Sequence, residues 1–389
     1  MSTPFFEATL FDELEPLFPD TDPKDGKPLH TVAAASGTYA GVHILLSGLT
    51  PGKCVAIETL PSLQGGGCKL FELLPLPVEA NTGAVSRTEW LDGQPNPNVI
   101  RRAPFTVYDV LKPCTNALTA KGAVMALAFR CKVDSARRET KSWELNVTHD
   151  GVSRRLTFLV EIFPVPVPEA GAADHKYVNW FSHRGIADYH NAPLFSDAWY
   201  KMYELYLKLG KYGRQNMALV SAELFFDLEQ GIPRLNEEKL NRLVEIYDRV
   251  GIHWLEGGHL AGRKDGQWEA SQAETLFTHK PVPGEGEEAL ADMCRQIYDY
   301  LQKHQLTERW IQSLLDEPLD CMADTYNRCL EIMKEAMPGI PFLDASIARE
   351  TIAGSLDYWC PTINKYEKYQ DFFDDRYEKG EHLFVYTYL

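Results

Sequence analysis

The stretch NEEKLNRLVEIYDRVGIHWLEGG (residues 236–258) sets the reading of the chain. Asn236 is an N-cap residue whose side-chain oxygen accepts from a free first-turn N–H, and Glu237 and Glu238 complement the positive end of the helix dipole. The helix runs over 236–250, and 253–258 reads as a short buried strand. The same unit recurs in both directions. Toward the C-terminus come a helix over 287–304, a strand over 310–315, a helix over 324–337 stopped by Pro338 and Gly339, and a strand over 341–345. A short helix over 348–353, a strand over 357–360, a helix over 366–378 and a strand over 382–388 follow. Toward the N-terminus lie a strand over 215–220, a helix over 197–212 and a strand over 176–181. Short joints between alternating strands and helices predict a parallel α/β sheet. Seven strands and six intervening helices fall one strand and two helices short of a (β/α)8 barrel. The apolar run 384–389 ends the sequence given, so the expectation for 174–389 is a TIM-type barrel truncated after strand 7.

The preceding ~165 residues have a different rhythm. Short apolar runs at 42–46, 69–74 and 124–131 are separated by Gly, Pro and Asn turn signals. Residues 143–148 and 155–163 flank His149-Asp150-Gly151, the Asp-Gly signature of a primed hairpin turn. This pattern predicts a β-sandwich over 1–163. Prolines 164, 166 and 168 then make a stiff extended connector, 164–173. Gly65-Gly66-Gly67 lacks the Lys-Ser/Thr of a phosphate loop and reads as a loop of the β domain.

Composition bounds the function. The chain has 389 residues, 44% hydrophobic and 24% charged, as expected of two or three folded domains. Lys+Arg 39 against Asp+Glu 55 leaves a net charge of −16, which excludes a duplex-wrapping nucleic-acid binder and a polybasic membrane protein. Aromatic content of 11% is a mild hint of sugar stacking, although ring packing in cores accounts for most such residues. No signal-peptide pattern opens the sequence and no run approaches ~18 apolar residues, so the expected location is cytoplasmic. Eight cysteines without a C-x-x-C pair are expected as reduced thiols, and the Asn146 sequon is idle without secretion.

Barrel enzymes place their chemistry at the C-terminal ends of strands. Those ends offer Asn179, Trp180, Ser182 and His183 after the first strand, then Glu256, His259 and Arg263 around the third. Asp316-Glu317-Pro318 follows the fourth, Asp344 ends the fifth, Trp359 and Asn364 flank the sixth, and Tyr386 and Tyr388 end the seventh. Asn216, early in the second strand, is either a substrate contact or a backbone cap. Adjacent carboxylates locked by a proline are costly unless one is protonated or both have assigned partners, the condition a general acid needs. The bland alternative is two loop carboxylates facing solvent. The large two-glutamate barrel clan carries Asn-Glu after strand 4 and a glutamate after strand 7; here strand 4 carries Asp-Glu and 385–388 has no carboxylate. The pair instead fits substrate-assisted glycoside hydrolysis, in which the sugar's 2-acetamido oxygen attacks C1. Trp180 and Trp359 are stacking candidates or core residues, and His259 and Arg263 are hydroxyl-binding candidates or loop structure. Glu223 and Asp227 read as loop charges. A metal site of His253, Glu256, His259 and Asp316 has no H-E-x-x-H pattern, and none is expected.

The sandwich, the proline joint, the Trp-containing first strand, Glu256-Gly257-Gly258-His259, Leu314-Leu315-Asp316-Glu317-Pro318, Leu356-Asp357-Tyr358-Trp359-Cys360-Pro361, and Gly380-Glu381 with Tyr386-Thr387 together resemble glycoside hydrolase family 123. The resemblance covers nearly the whole chain, most specifically 174–389. It implies an exo-acting β-N-acetylgalactosaminidase that retains configuration by substrate assistance, with Asp316 orienting the acetamido group and Glu317 as acid/base. It implies a carbohydrate partner and no cofactor. The alternatives are a non-catalytic carbohydrate binder on a degenerate barrel, and a two-carboxylate retaining glycosidase using Glu256 or Asp344 as nucleophile.

Overall fold

A computed structural model of the chain describes residues 5–61, 67–81, 90–91, 94–95, 99–172 and 175–387. The chain divides into two compact units between Glu169 and Ala170. Residues 65 and 66 of the triple-glycine run, and Tyr388, lie outside the described residues.

The first unit holds two five-stranded sheets. Its strands are β1 (Glu7–Asp12), β2 (Leu29–Ser36), β3 (Thr38–Ser47), β4 (Cys54–Leu60), β5 (Cys68–Val78), β6 (Phe105–Pro113), β7 (Ala117–Thr119), β8 (Val124–Val133), β9 (Glu139–His149) and β10 (Val152–Pro166). One sheet has the order β1-β3-β8-β5-β6, the other β2-β10-β9-β4-β7. Period-2 alternation in β9 and β10 turns Trp143, Leu145 and Val147, and Leu156, Phe158 and Val160, onto a core shared with Val42, Ile44, Leu127 and Phe129 of the opposite sheet. The β9–β10 hairpin closes on Asp150 and Gly151, both at positive φ (46° and 76°), as a primed turn requires. The expected connector at 164 starts later, because β10 stays paired with β2, across a bulge, to Pro166. β9 starts only opposite Ile162, so a proline at 164 costs no ladder bond there.

In the second unit, β11 (Met217–Val220), β12 (Trp254–Gly257) and β13 (Trp310–Gln312) form one parallel ladder, and β14 (Leu343–Ala345), β15 (Tyr358–Cys360) and β16 (His382–Leu383) another. A single parallel bridge, Gln312 to Phe342, joins them in sequence order. Helices α1 (His183–Tyr189), α2 (Asp197–Tyr212), α3 (Glu237–Val250), α4 (Glu287–Lys303), α5 (Ala323–Ala336), α6 (Ile363–Lys368) and α7 (Gln370–Glu378) fill the connections. Asn236 caps α3 as expected, accepting from Lys239 N at 3.0 Å. The expected helix over 366–378 is broken at Tyr369, and the one over 348–353 is a single 3-10 turn.

The expected first strand, 176–181, is an extended segment rather than a strand. The Tyr177 carbonyl accepts from both Asn216 N and Met217 N at 3.1 Å, and Asn216 Oδ1 takes the Tyr177 N–H at 2.8 Å in place of a ladder partner. Asn216 Nδ2 also donates to the carbonyls of Gly171 (3.0 Å) and His175 (2.9 Å). One face of the sheet joins Val178, Met217, Trp254, Ile311, Leu343, Tyr358 and Phe384, a residue from each of the seven segments, into one apolar cluster. Lys176 Nζ lies 4.1 Å from the Trp254 ring centroid and 5.4 Å from that of Tyr358. In a flat sheet those two strands would stand three spacings, roughly 14 Å, apart, so the sheet curls toward that face.

Asn216, 2% exposed, is therefore a three-way staple at the N-terminal end of β11. Asn216→Ala should cost about 2–4 kcal/mol in urea melts, because it orphans buried backbone groups, while KM stays unchanged.

Candidate active site

The C-terminal ends of β12, β13 and β14 converge on one set of polar side chains. Glu256 shares the inner face of β12 with Trp254, two residues earlier. It is buried, and its Oε2 accepts from Trp180 Nε1 at 2.9 Å. Burial raises its carboxyl pKa to about 7, against the opposing pull of the Trp180 hydrogen bond. The Trp180 ring, half exposed, meets His259 edge-on at 5.9 Å. Burial, with Arg263 nearby, lowers the His259 pKa to about 4, so the imidazole is neutral at pH 7.

Asp344 is the buried anchor of the site. Its carboxylate accepts from Leu314 N (3.1 and 3.2 Å), Leu315 N (3.3 Å) and the Tyr326 hydroxyl of α5 (2.6 Å), with His259 Nε2 3.9 Å away. Burial pushes its pKa up, the three donors oppose this, and the negative charge of Asp316 adds to the rise. On the opposite side the Leu314 carbonyl accepts from Leu260 N and Ala261 N, both at 3.1 Å. The chain thus leaves β13 with its backbone held from both sides, and Asp316 and Glu317 come next.

Asp316 is exposed by area yet lies within the rim, where loss of solvent raises its carboxyl pKa and the Arg263 guanidinium lowers it. Among the described residues its carboxylate accepts no hydrogen bond. Glu317 has φ +49°, a left-handed conformation rare for a side chain of this kind. Its carboxylate accepts from the Tyr386 hydroxyl, and its backbone carbonyl accepts from Arg263 Nη2 at 2.6 Å. The Pro318 carbonyl accepts from Ala348 N at 2.8 Å. Arg263 stacks on Trp268, its Cζ 4.1 Å from the ring centroid, and its Nε is buried without a hydrogen-bond partner among the described residues. Burial and the bond to Glu317 raise the Tyr386 pKa.

Of the residues singled out from sequence, the structure brings together Trp180, Glu256, His259, Arg263, Asp316, Glu317 and Tyr386. Asn364 lies beside Tyr386, since Ile363 N donates to the Tyr386 carbonyl, but its amide oxygen accepts from Thr362 Oγ1 at 2.6 Å and it is exposed. Three residues stand apart. Asn216 is at the opposite end of its strand. Trp359, 1% exposed, points outward onto Phe372 and Phe373 with its indole N–H on Glu381, because Tyr358 and Cys360 hold the inner face of β15. His183 packs among Phe181, Trp199 and Tyr203, where burial lowers its pKa to about 4. Tyr326 was not legible as a site residue: it lies on the apolar face of an ordinary helix, and only the tertiary fold sets it against Asp344. Among the described residues no cluster of His, Cys, Asp and Glu could hold a metal ion, and no helix is long and apolar enough to cross a membrane.

A family model for the glycoside hydrolase 123 catalytic domain matches residues 180–389. The chain belongs to glycoside hydrolase family 123. The fold is similar to that of a family 123 glycoside hydrolase from Clostridium perfringens described in terms of glycolipid glycan hydrolysis. The TM-score is 0.74 at 13% identity, over 98% of this chain and 72% of that one. More remote are a β-D-glucuronidase of Dictyoglomus thermophilum (TM-score 0.34, 12% identity, 90% and 53% covered) and a family 20 exo-β-N-acetylglucosaminidase of Vibrio harveyi (TM-score 0.32, 7% identity, 98% and 81% covered). Both share too little structure to bear on the site. No curated protein matches the sequence. The protein is a glycosidase, and its partner is a carbohydrate substrate.

The hydrolase's Glu256 gives a pH test. Its carboxyl titrates near 7 in the fold against 4.5 ordinarily, so the unfolded chain releases that proton first. Stability from this group is present below pH 4.5, falls as pH rises through the window, and levels off above 7. Glu256→Gln removes the titration and can still accept from Trp180. Relative to the parent, its unfolding free energy should rise by about 3 kcal/mol between pH 4 and 8, measured by urea melts.

Proposed function

We propose that this family 123 enzyme is an exo-acting β-N-acetylgalactosaminidase that retains configuration through the substrate's own 2-acetamido group. The observation that carries the reading is the division of labour among four carboxylates. Asp344 is saturated by two backbone N–H groups and a tyrosine hydroxyl, and Glu256 is buried with its proton retained to about pH 7. Neither is placed to serve as an ionised nucleophile. Asp316 and Glu317 remain on the open side. Asp316, with acceptor capacity free among the described residues, takes the acetamido N–H and polarises the group so that its oxygen attacks C1. Glu317 donates its proton to the departing glycosidic oxygen, then as carboxylate draws a proton from the water that opens the cyclic intermediate. The Tyr386 hydroxyl steadies the Glu317 carboxylate between those steps. Trp180, half exposed, offers a ring face to the sugar.

For the framework, we read the two facing sheets as a β-sandwich, and the six strands of the curled sheet together with the extended segment 176–181 as seven of the eight positions of a (β/α)8 barrel. The sequential parallel order and the site at the strands' C-terminal ends support this reading. A two-carboxylate retaining mechanism, the second reading, requires Glu256 or Asp344 to give up its present partners.

Rates on matched aryl glycosides separate the two. Removing an oriented intramolecular nucleophile forfeits roughly 7–11 kcal/mol, whereas losing binding contacts costs about 1–3 kcal/mol. The 2-acetamido-2-deoxy-β-galactoside should therefore outrun the plain β-galactoside by roughly 10⁵-fold or more. A gap within ~200-fold, or a trapped glycosyl ester on the protein, would overturn the assignment. Glu317→Gln should lower kcat by about 10²–10⁴-fold on alkyl glycosides and far less on nitrophenyl ones, whose leaving groups need little protonation.

A further inference from the structure

Away from the carbohydrate site, the first unit holds a thiol pair that glycoside hydrolysis does not use. Cys68 opens β5 and Cys131 lies in β8, and the two are direct cross-strand partners. Lys132 N donates to the Gly67 carbonyl at 2.6 Å, which makes 132 and 67 a hydrogen-bonded pair. The adjoining pair, Cys131 and Cys68, therefore occupies the non-hydrogen-bonded position, where Cα atoms stand ~4.5 Å apart and side chains approach most closely. That spacing lies inside the ~4.4–6.8 Å range that disulfides span. Both side chains turn toward the shared core: Cys131 is buried, Cys68 is half-buried at the start of its strand, and both are free thiols. The Cys131 thiol donates to the Ala40 carbonyl of β3 at 3.6 Å.

We propose that Cys68 and Cys131 form a redox-modification site that a small-molecule disulfide of the glutathione class converts into a cross-strand disulfide. Cys68, the more accessible thiol, loses its proton and attacks one sulfur of the oxidant. The oxidant's S–S bond breaks, a mixed disulfide forms on Cys68, and the first glutathione leaves as a thiolate that takes up a proton. The Cys131 thiolate then attacks the Cys68 sulfur, expelling the second glutathione, which takes the proton Cys131 gave up. Two protein thiols are oxidised and one glutathione disulfide is reduced to two thiols. Cys131 and the Trp143 indole beside it lower the Cys68 pKa to about 7 against the opposing effect of burial, which favours Cys68 as the first nucleophile.

The test uses the full chain titrated with oxidised glutathione at pH 8. The expected result is loss of two hydrogens from the intact mass, a Cys68–Cys131 cross-linked peptide on non-reducing mapping, and quenching of Trp143 fluorescence, all reversed by dithiothreitol. The cross-link encloses residues 68–131 and should raise the unfolding temperature of the first unit by several degrees. Cys131→Ala should instead leave glutathione on Cys68. If that core substitution fails to fold, Cys68→Ala, at the more exposed position, should abolish the two-hydrogen loss. Glutathione adducts confined to exposed Cys54 and Cys321, with Cys68 and Cys131 both still alkylated after unfolding, would overturn the proposal.

Discussion

A buried carboxylate on β14 holds the end of β13, and the site follows from that restraint. Parallel strands this short, three or four residues each, leave the chain unsupported where the ladder stops. Asp344 supplies the missing acceptors for Leu314 and Leu315, while the Leu314 carbonyl is claimed from the other side by Leu260 and Ala261. Leaving these N–H groups unpaired in the interior would cost ~1–3 kcal/mol each. Tyr326, donating to the same carboxylate, ties α5 to this junction. The direction in which Asp316 leaves the sheet is thus fixed by groups that never face solvent.

The same burial sorts the acids electrostatically. Glu256 and Asp344 lie where water is excluded, and their pKa values rise. His259, between them and Arg263, is driven neutral by the same exclusion, so the charge next to the acids comes from a guanidinium that cannot lose its proton. Arg263 binds the Glu317 main chain rather than its carboxylate. That arrangement places positive charge near both outward acids, and among the described residues neither is clamped in a salt bridge. A carboxyl acting as a proton donor needs this freedom, since a bidentate arginine partner would hold it ionised.

Much of this was legible in the sequence. The Asn236 cap, the Asp150-Gly151 turn and the strand–helix alternation each carry a local physical signal strong enough to survive tertiary packing. Trp359 shows where such signals stop. Tyr358, Trp359 and Cys360 are all compatible with burial, and a strand covered on both faces has no alternation to say which residue points inward. Asn216 was ambiguous because its chemistry suits a sugar hydroxyl and a backbone amide equally. Only its position at the N-terminal end of β11, opposite Tyr177, selects the backbone. Asp344 was visible as a strand-end acid, but nothing local distinguishes an acid that contacts ligand from one that stitches two strands.

Glu317 ties the backbone of this turn to the placement of its carboxylate. A left-handed φ of +49° costs a non-glycine residue on the order of 1–3 kcal/mol, and glycine would adopt it freely. The surrounding backbone over-determines the turn: Asp344 fixes 314 and 315, Arg263 holds the 317 carbonyl, and Ala348 holds that of 318. The strain is tolerated because those bonds together outweigh it. With the backbone turned this way, the Glu317 carboxylate meets the hydroxyl of Tyr386, next to the parallel bridge from Thr362. An acid following β13 and a phenol following β16 are thereby joined. A residue with relaxed φ at 317 would send its side chain elsewhere, so the strained conformation and the placement of the proposed proton donor are one constraint.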